Sequence, residues 1–324
     1  MLLIVTGTDD ATADLVATGL KDAHVDFMRL NTDQYPQSVQ LSVSCGTGGS
    51  SGMLSVDGRE MEFSEISVVW YRKPNPPSIS GDVQQPEART FALEESRAFL
   101  RGTYRLLEHA FWVSRPESIR RANDKLYQLQ IAASLGFTVP RTLVTNSPER
   151  AAAFCDETPG EKIVKPLTGG SVEYPDGNVE LIYTSVLTPQ DMDNLHQVSY
   201  APCLLQDYVQ KQYELRITVI GRRAFVVGVD SQHEESTKHD WRRNLCQDAK
   251  YFTTTVPKDL LDKCFLFMDH YGLKFSAFDF VKTPDGAYVF LENNPNGQWA
   301  WLDLDLNNGM IQYMVEFLRD GGTR

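Results

Sequence analysis

The 324-residue sequence lacks the features that mark several large classes of protein. No run of Lys and Arg stands out and the formal net charge is −12, which disfavours nucleic acid or a membrane surface as a partner. The five cysteines are scattered, without a CxxC or zinc spacing, and this predicts a reduced, cytoplasmic protein. The N-terminal apolar run is too short for a signal peptide, and no segment approaches the roughly 20 apolar residues of a membrane span.

Common catalytic motifs are missing as well. His233-Glu234-Glu235 does not have the HExxH spacing of a zinc protease, and neither a Ser-His-Asp nor a reactive-Cys signature is present. The turn Thr6-Gly7-Thr8 follows a predicted strand but does not match GxGxxG, which disfavours nucleotide binding there. The first 30 residues show a βαβ pattern, so we expect an α/β protein with more than one structural unit.

The most informative segment runs from Phe275 to Gly297. Asp285-Gly286 lies between two apolar, β-rich runs and predicts a hairpin with a two-residue turn. That turn pairs Thr283 with Tyr288 and Asp279 with Glu292. Asp279, Glu292 and Asn294 would then share one face, because paired residues and residues two apart along a strand lie on the same side. Two carboxylates and an amide oxygen suit Mg²⁺, whereas the alternative is a solvated hairpin face.

Two lysines precede this hairpin at positions where a phosphate could be bound. Lys125 lies at the start of a predicted helix, and Lys165 ends a strand just before Gly169-Gly170. A lysine there can reach phosphate oxygens while backbone N–H groups of the glycine loop close over them. For either lysine alone, an ordinary surface position is the alternative.

The segment from Leu204 to Val209 is a predicted strand leading into a polar loop, after which Glu214 and Arg216 open the next strand. The backbone of such a strand edge can hydrogen-bond an adenine ring, and a carboxylate beyond it can accept ribose hydroxyls. In order, the chain therefore offers a lysine, a lysine with a glycine loop, a hinge with an acid, and the Asp279, Glu292 and Asn294 set.

That order resembles the ATP-grasp superfamily over roughly residues 115–320. Three further pieces resemble the ATP-grasp ligases that mature graspetides, the side-chain-crosslinked ribosomal peptides that include microviridins. These pieces are Trp70 to Pro74, then Ser231-Gln232 with Asp240 to Arg243, and finally Glu292 to Trp299. The resemblance implies an α/β ATP-grasp fold with an N-terminal pre-ATP-grasp domain (1–114), a central domain (115–203) and a C-terminal ATP-grasp domain (204–324).

The same resemblance implies a role for each residue of the ATP site. Lys125 and Lys165 would contact ATP phosphates, and Glu214 would bind the ribose. Adenine would be faced by Gln206, Tyr208 and Val209, and Mg²⁺ would be bound by Asp279, Glu292 and Asn294. Many superfamily members have an acid in place of Gln206, but the glutamine keeps an acceptor oxygen for the adenine amino group.

The substrate side of the site is assigned to arginines and to two acids. Arg216, Arg242 and Arg243 could hold a substrate carboxylate against the γ-phosphate through their fork geometry, although Arg242 and Arg243 could also decorate a surface loop. Arg72 could reach the same cleft. Asp191 and Asp193 would contact a precursor's leader peptide, or would simply favour the start of a helix.

The predicted activity is an ATP-dependent macrocyclising ligase. It would activate Asp or Glu side chains of a ribosomal precursor peptide as acyl phosphates and join them to Ser/Thr hydroxyls or Lys amines. One alternative is an ATP-grasp ligase that adds amino acids to a small molecule or a protein tail, and another is a non-catalytic peptide-binding module. The resemblance also implies a homodimer.

Overall fold

The computed structural model describes residues 1–174, 178–232 and 250–323. The N-terminal unit contains these helices and strands in chain order: β1 (Leu2–Thr6), α1 (Ala11–Asp22), β2 (Phe27–Asn31), β3 (Val39–Gly46), β4 (Gly49–Val56), β5 (Arg59–Glu62), β6 (Val68–Tyr71), α2 (Pro86–Leu106) and β7 (Phe111–Val113). A parallel sheet has the order β2-β1-β6-β7, and β3, β4 and β5 form a separate antiparallel sheet.

Strand β1 is buried along its whole length because the parallel sheet is covered on both faces. Leu2 and Ile4 pack in the cluster that contains α1, whereas Leu3 and Val5 pack in the cluster that contains α2. The chain therefore crosses to opposite faces after β1 and after β6. In such sheets the crevice between two strands with diverging connections opens at their carboxyl ends.

The middle of the chain supplies a second sheet. Its elements are α3 (Pro116–Ala122), α4 (Lys125–Ser134), β8 (Thr142–Thr145), α5 (Pro148–Glu157), β9 (Lys162–Lys165), β10 (Ser171–Glu173), β11 (Val179–Leu181), β12 (Ser185–Val186), α6 (Pro189–Asp193) and β13 (Cys203–Asp207). The sheet order is β12-β9-β13-β8, and β10 pairs with β11 as a separate hairpin.

The C-terminal part contains a five-stranded antiparallel sheet of order β16-β15-β14-β17-β18. Its elements are β14 (Tyr213–Ile220), β15 (Arg223–Asp230), β16 (Lys250–Thr253), α7 (Lys258–Tyr271), β17 (Phe275–Lys282), β18 (Tyr288–Asn294), α8 (Ala300–Leu306) and α9 (Met310–Arg319). Phe267, Phe278 and Phe290 are fully buried between α7 and this sheet. None of the helices in the described ranges has the length and apolar character needed to cross a bilayer.

Packing divides the chain differently from the predicted boundaries at 114/115 and 203/204. Ile119 of α3 and Ala132 of α4 belong to the buried cluster of the C-terminal sheet, so these two helices pack with that sheet. Strand β13 lies across the second predicted boundary, yet it pairs with β8 and β9 and completes the central sheet. Both differences have the same cause, because strand pairing and side-chain burial, which are long-range, decide the grouping.

The β17–β18 hairpin has the predicted Asp279–Glu292 pair but a different turn. Lys282 pairs with Tyr288, so the predicted Thr283–Tyr288 pair is wrong. The loop is longer than two residues, because Thr283 N–H donates to the Ala287 carbonyl. The register then shifts beside Asp279, where Leu291 is the extra residue of a β-bulge, and this restores the predicted alignment.

Candidate functional site

A cavity of about 540 Å³ lies between the central sheet and the C-terminal sheet. Its walls include most of the residues predicted for an ATP site: Lys165, Gln206, Tyr208, Val209, Glu214, Arg216, Asp279, Glu292 and Asn294. These residues come from β9, β13 and the segment after it, β14, β17 and β18, so strand pairing in two sheets brings them together. Lys125, Arg72, Asp191 and Asp193 do not line this cavity.

A chain of hydrogen bonds crosses the central sheet at the floor of the cavity. Lys165 Nζ donates to Gln206 Oε1 at 2.9 Å, and Gln206 Nε2 donates to Thr142 Oγ1 at 2.8 Å. Gln206 is only 2% exposed, so its amide orientation is fixed by these two partners. Its oxygen therefore faces the lysine, and only the second lone pair of that oxygen remains for another donor.

The segment after β13 provides the predicted hinge. Tyr208 N–H donates to the Glu161 carbonyl at 3.0 Å, so the backbone donor of Tyr208 is already used. Val209 N–H donates to no backbone carbonyl of the described residues, and Val209 lines the cavity. Of the three residues predicted to face adenine, Gln206, Tyr208 and Val209, it is therefore Val209 that offers the backbone donor.

Glu214 is held by two neighbours at the end of the hinge. Lys211 Nζ and Ser231 Oγ each donate to Glu214 Oε1 at 2.9 Å, and Glu214 is 5% exposed. Nearby, burial would raise the pKa of Asp207, but the hydrogen bond and charge of Arg141 and the charge of Lys162 outweigh burial and lower that pKa. Asp207 therefore remains ionised at neutral pH. The hydrogen bonds that Glu214 and Asp207 accept fix the positions of both carboxylates.

The other end of the cavity holds the three predicted metal ligands. Asn294 Nδ2 donates to Asp279 Oδ2 at 2.8 Å and to Glu292 Oε1 at 3.3 Å, so the three side chains meet as predicted from strand pairing. Arg216 Nη1 donates to both oxygens of Asp279, at 2.8 and 2.7 Å. The described residues contain no group of three or more His, Cys, Asp or Glu suited to a metal, so the candidate set is two carboxylates and one amide.

Gly297 allows this cluster to close. A Cβ atom at position 297 would lie 2.7 Å from Arg216 Nη2 and 3.0 Å from the Asn294 Cβ. Arg216 Nη2 also donates to the Gln298 carbonyl at 3.0 Å, which requires the backbone to approach closely. The glycine is therefore needed here for space, since its φ is not among the positive values.

Lys125 binds the glycine loop from outside the cavity. Its Nζ donates to the Pro166 carbonyl at 2.9 Å and to the Thr168 carbonyl at 3.3 Å, and lies 3.7 Å from Glu292 Oε2. Asp124 begins α4 as its N-cap by accepting from Tyr127 N–H, which fixes the position of Lys125 at the first turn. Lys125 thus connects the loop that follows Lys165 to the carboxylate end of the cavity.

Arg72 lies elsewhere than predicted. Its side chain is 1% exposed, so it has no surface for a peptide, and the prediction of a direct peptide contact is replaced by a structural one. Its guanidinium donates to the Asn296 carbonyl at 2.7 Å and to Gln298 Oε1 at 2.5 Å. Burial lowers the pKa of Arg72 to about 10, with Asp10 opposing and Arg216 adding to the decrease. The residue fastens the N-terminal unit to the segment after β18.

The remaining predicted residues lie away from this cluster. Asp191 is exposed and forms a capping box with Thr188, whose N–H and Oγ1 donate to Asp191 Oδ2 at 2.8 and 2.7 Å. The Thr188 backbone N–H is the main cause of a lowered pKa of Asp191. Asp193 is exposed on the same short helix. Arg242 and Arg243 lie outside the described residues.

The cavity also contains residues that the sequence did not single out, among them Lys73, Lys211, Gln298 and Trp301. Lys73 is the neighbour of Arg72 in the Trp-Tyr-Arg-Lys-Pro segment, so the signal was present but was assigned to the wrong member of the pair. Side chains alternate along an extended chain, and burial of one neighbour leaves the other facing the opposite side.

Comparisons with known proteins agree with this geometry. Residues 1–120 match the family model of the MvdD pre-ATP grasp domain. A RiPP-associated ATP-grasp ligase of Chryseobacterium gregarium, solved with ADP and a leader and core peptide, is 30% identical with a TM-score of 0.91; the alignment covers 100% of this chain and 97% of that one. Macrocyclase MdnC from Microcystis aeruginosa, bound with precursor peptide MdnA, is 30% identical with a TM-score of 0.87, and 99% of each chain is covered.

A more distant relative is the alpha-aminoadipate–LysW ligase LysX of Sulfolobus acidocaldarius. It is 24% identical over 241 residues, which cover 74% of this chain and 82% of that protein. The α/β ATP-grasp fold with a pre-ATP-grasp domain is therefore confirmed, as is the predicted class of ATP-dependent ligase. With 30% of its residues identical to each of these two solved proteins over nearly their full length, the chain belongs to the family of RiPP-associated ATP-grasp ligases.

Proposed function

We propose that the protein is a peptide macrocyclase. It would use ATP to join Asp or Glu side chains of a ribosomal precursor peptide to Ser or Thr hydroxyls, giving esters, or to Lys amines, giving amides. The observation that carries the proposal is the cavity itself. It is lined both by the residues assigned to the nucleotide, which we call the nucleotide clamp (Lys165, Val209 and Glu214), and by the cluster of Asp279, Glu292, Asn294 and Arg216. The full-length similarity to ligases solved with precursor peptides supports a peptide as the substrate.

In this proposal the clamp binds ATP through groups that already have fixed positions. Val209 N–H would donate to adenine, Glu214 would accept the ribose hydroxyls, and Lys165 would contact the phosphates. Lys125 would reach the phosphates by exchanging its loop carbonyls for phosphate oxygens. Charge-assisted hydrogen bonds of this kind are short and strong, so the exchange is favourable when a polyanion enters.

The proposal also assigns Mg²⁺ to Asp279, Glu292 and Asn294. The fit is chemical: the cluster offers carboxylate and amide oxygens and no sulfur or imidazole, which is the donor set that Mg²⁺ prefers. When bound, the ion would neutralise phosphate charge that develops during transfer. Arg216 donates to both oxygens of Asp279 and so fixes the position of this carboxylate, which lines the cavity.

The proposed reaction has two steps, formation of an acyl phosphate and closure of the ring. A carboxylate oxygen of the peptide attacks the γ-phosphorus, the bond from that phosphorus to the bridging oxygen breaks, and ADP leaves. The hydroxyl or amine of the second side chain attacks the acyl carbon, inorganic phosphate departs, and the attacking group loses its proton. The described residues contribute no covalent nucleophile to this scheme, since both partners belong to the peptide.

The test needs a candidate precursor, which is sought among short reading frames beside the gene as a peptide with a leader and a core that combines Asp or Glu with Ser, Thr or Lys. The protein, this peptide, ATP and Mg²⁺ should give ADP and a product lighter by one water per crosslink. A peptide whose core Asp and Glu are replaced by Asn and Gln should give neither. ADP formation without any mass loss from the peptide would contradict the proposal.

A second candidate function is ligation of an amino acid to a small molecule or to a protein tail, which the similarity to the alpha-aminoadipate–LysW ligase favours. Incubation with ATP, Mg²⁺ and free amino acids, without peptide, separates the two. The third alternative, a non-catalytic peptide-binding module, predicts no ADP release under either condition. The presence of Lys125, Lys165 and the Asp279, Glu292 and Asn294 set favours a catalytic protein over a binding module.

The peptide-binding part of the proposal assigns the leader to Asp191 and Asp193 and the core to Arg242 and Arg243. Replacing both aspartates by Asn should weaken binding of the full precursor but leave binding of a leaderless core unchanged.

A homodimer and a cytoplasmic location belong to the same proposal. Light scattering tests the oligomeric state, and cell fractionation tests the location.

A further inference from the structure

Lys73 reaches the cavity from the N-terminal unit. Strand β6 continues past Tyr71, because Arg72 N–H donates to the Val5 carbonyl of β1 at 2.8 Å. Lys73 is therefore placed at the carboxyl end of the parallel sheet, beside the crevice where the connections after β1 and β6 diverge. There it lines the same cavity as Arg216 and Gln298.

The neighbours of Lys73 hold the strand end in place. Gln298 Oε1 accepts from Arg72 Nη2 at 2.5 Å and from Thr12 Oγ1 at 2.8 Å. One glutamine oxygen thus joins the end of β6, the first turn of α1 and the segment after β18. With Arg72 fixed on one side of the chain, the Lys73 side chain is directed to the other side, towards the cavity.

Among the residues that the structure describes, Lys73 differs from the other cations of the cavity in having no hydrogen-bond or ion-pair partner. Lys165 donates to Gln206, Lys211 to Glu214, and Arg216 to Asp279. No described residue forms a hydrogen bond or an ion pair with the Lys73 ammonium. Lys73 is exposed, and partial desolvation beside the cavity, then repulsion from Arg72 and Arg216, lowers the pKa of its ammonium against the opposing charges of Asp10 and Asp9.

We propose that the Lys73 ammonium binds the side-chain carboxylate that the enzyme activates, and stays with the acyl phosphate that this carboxylate becomes. The inference rests on the proposed macrocyclase function. Two anions, a carboxylate and a triphosphate, must meet in this cavity, and an unpaired cation between them offsets their repulsion. An ammonium with three rotatable donors can contact a carboxylate oxygen and a phosphate oxygen together.

The first test compares Lys73→Met with Lys73→Arg in the crosslinking assay with the neighbouring-gene peptide. Loss of a charge-assisted contact should raise KM for the peptide at least about tenfold in Lys73→Met, and Lys73→Arg should restore most of it. Affinity for Mg²⁺ and the ATP analogue AMPPNP should stay within about threefold. Lys258→Met is the matched control, because Lys258 is 85% exposed on α7 and should change neither value.

The second test does not need crosslinking activity. Lysine acylation, read by mass spectrometry at Lys73, is measured with Mg²⁺–AMPPNP alone and with added N-acetyl-glutamic acid α-amide. The inference expects protection that depends on the added carboxylate. Protection by Mg²⁺–AMPPNP alone would assign Lys73 to the nucleotide, and an unchanged peptide KM in Lys73→Met would overturn the inference. Failure of the wild-type protein to crosslink any peptide would instead count against the macrocyclase function. The acylation result would still decide whether the Lys73 ammonium binds a carboxylate.

Discussion

The two ends of the cavity differ in how their charged groups are held. At the nucleotide end, Lys165, Gln206 and Thr142 form a continuous chain, and Lys211, Glu214 and Ser231 form another. At the end beside the N-terminal unit, Lys73 has no partner among the described residues. Groups that bind an invariant ligand can hold one another in position before the ligand arrives. A group that binds a variable peptide side chain can instead remain without a protein partner until the peptide is bound. The difference therefore separates the ATP site from the proposed acceptor site.

The largest effect is expected at the carboxylate cluster formed by Asp279 and Glu292 with Asn294. Asp279→Asn should lower crosslinking about a thousandfold, because it removes a ligand charge and the partner of Arg216, and a metal ion contributes several kcal/mol to such a transition state. The measurement is ADP release and product mass with the neighbouring-gene peptide. Asp285→Asn, an exposed carboxylate in the same hairpin loop, is the control. Turnover that survives in Asp279→Asn would remove Asp279 from the proposed metal site.

A smaller but still large effect is expected for Gly297→Ala. The added methyl would lie 2.7 Å from Arg216 Nη2, so the guanidinium must move away from Asp279. Overpacking of this kind costs about 1–3 kcal/mol, which predicts a turnover roughly 10- to 100-fold lower. Gly81→Ala is the control, since nothing lies within 4 Å of its added Cβ. Equal turnover in both variants would show that Arg216 does not need its present position.

An intermediate effect, confined to the nucleotide end, is expected for Gln206→Leu. The change leaves the Lys165 ammonium and the Thr142 hydroxyl without their shared partner, so affinity for Mg²⁺–AMPPNP should fall about tenfold by calorimetry. Gln206→Glu should stay within about threefold, because a carboxylate still accepts from Lys165, and the Thr142 hydroxyl can turn from the Pro140 carbonyl to donate to it. A peptide KM that rose while nucleotide affinity stayed constant would contradict the division between the two ends.

The smallest effect concerns stability. A lowered pKa means that folding makes protonation of Lys73 less favourable, so the charge costs stability at neutral pH. The cost is small, because Lys73 is exposed and solvent screens its charge. That cost is relieved as pH rises from the lowered pKa through 10.5, the ordinary value. Lys73→Met should therefore raise the melting temperature slightly, by about 1 °C at pH 7, and the gain should vanish at high pH. A lower melting temperature at pH 7 would show that Lys73 supports the fold.

The sequence predicted the centre of the site better than its edges. Pairing of Asp279 with Glu292 followed from hairpin periodicity, but the turn between them did not, because the bulge at Leu291 compensates for a longer loop. Periodicity finds which residues share a face, whereas loop length depends on single backbone angles.

The N-terminal edge shows the same limit. The Trp70 to Pro74 segment was singled out, yet alternation alone cannot say which of Arg72 and Lys73 turns inward. That choice depends on Asn296 and Gln298, more than 200 residues later, whose oxygens accept from the Arg72 guanidinium. Sequence reasoning therefore located the segment, and only the tertiary contact assigned roles within it.

The junction at Gln298 has a consequence for engineering. Gln298 Oε1 accepts hydrogen bonds from both Arg72 and Thr12. The residues of the N-terminal unit and of the segment after β18 must therefore be compatible with each other. A chimera that takes its first 114 residues from a relative would need the relative's residues at 296–298 as well. Exchanging peptide specificity between such ligases therefore requires that two segments distant in the sequence be transferred together. A single contiguous replacement would separate them.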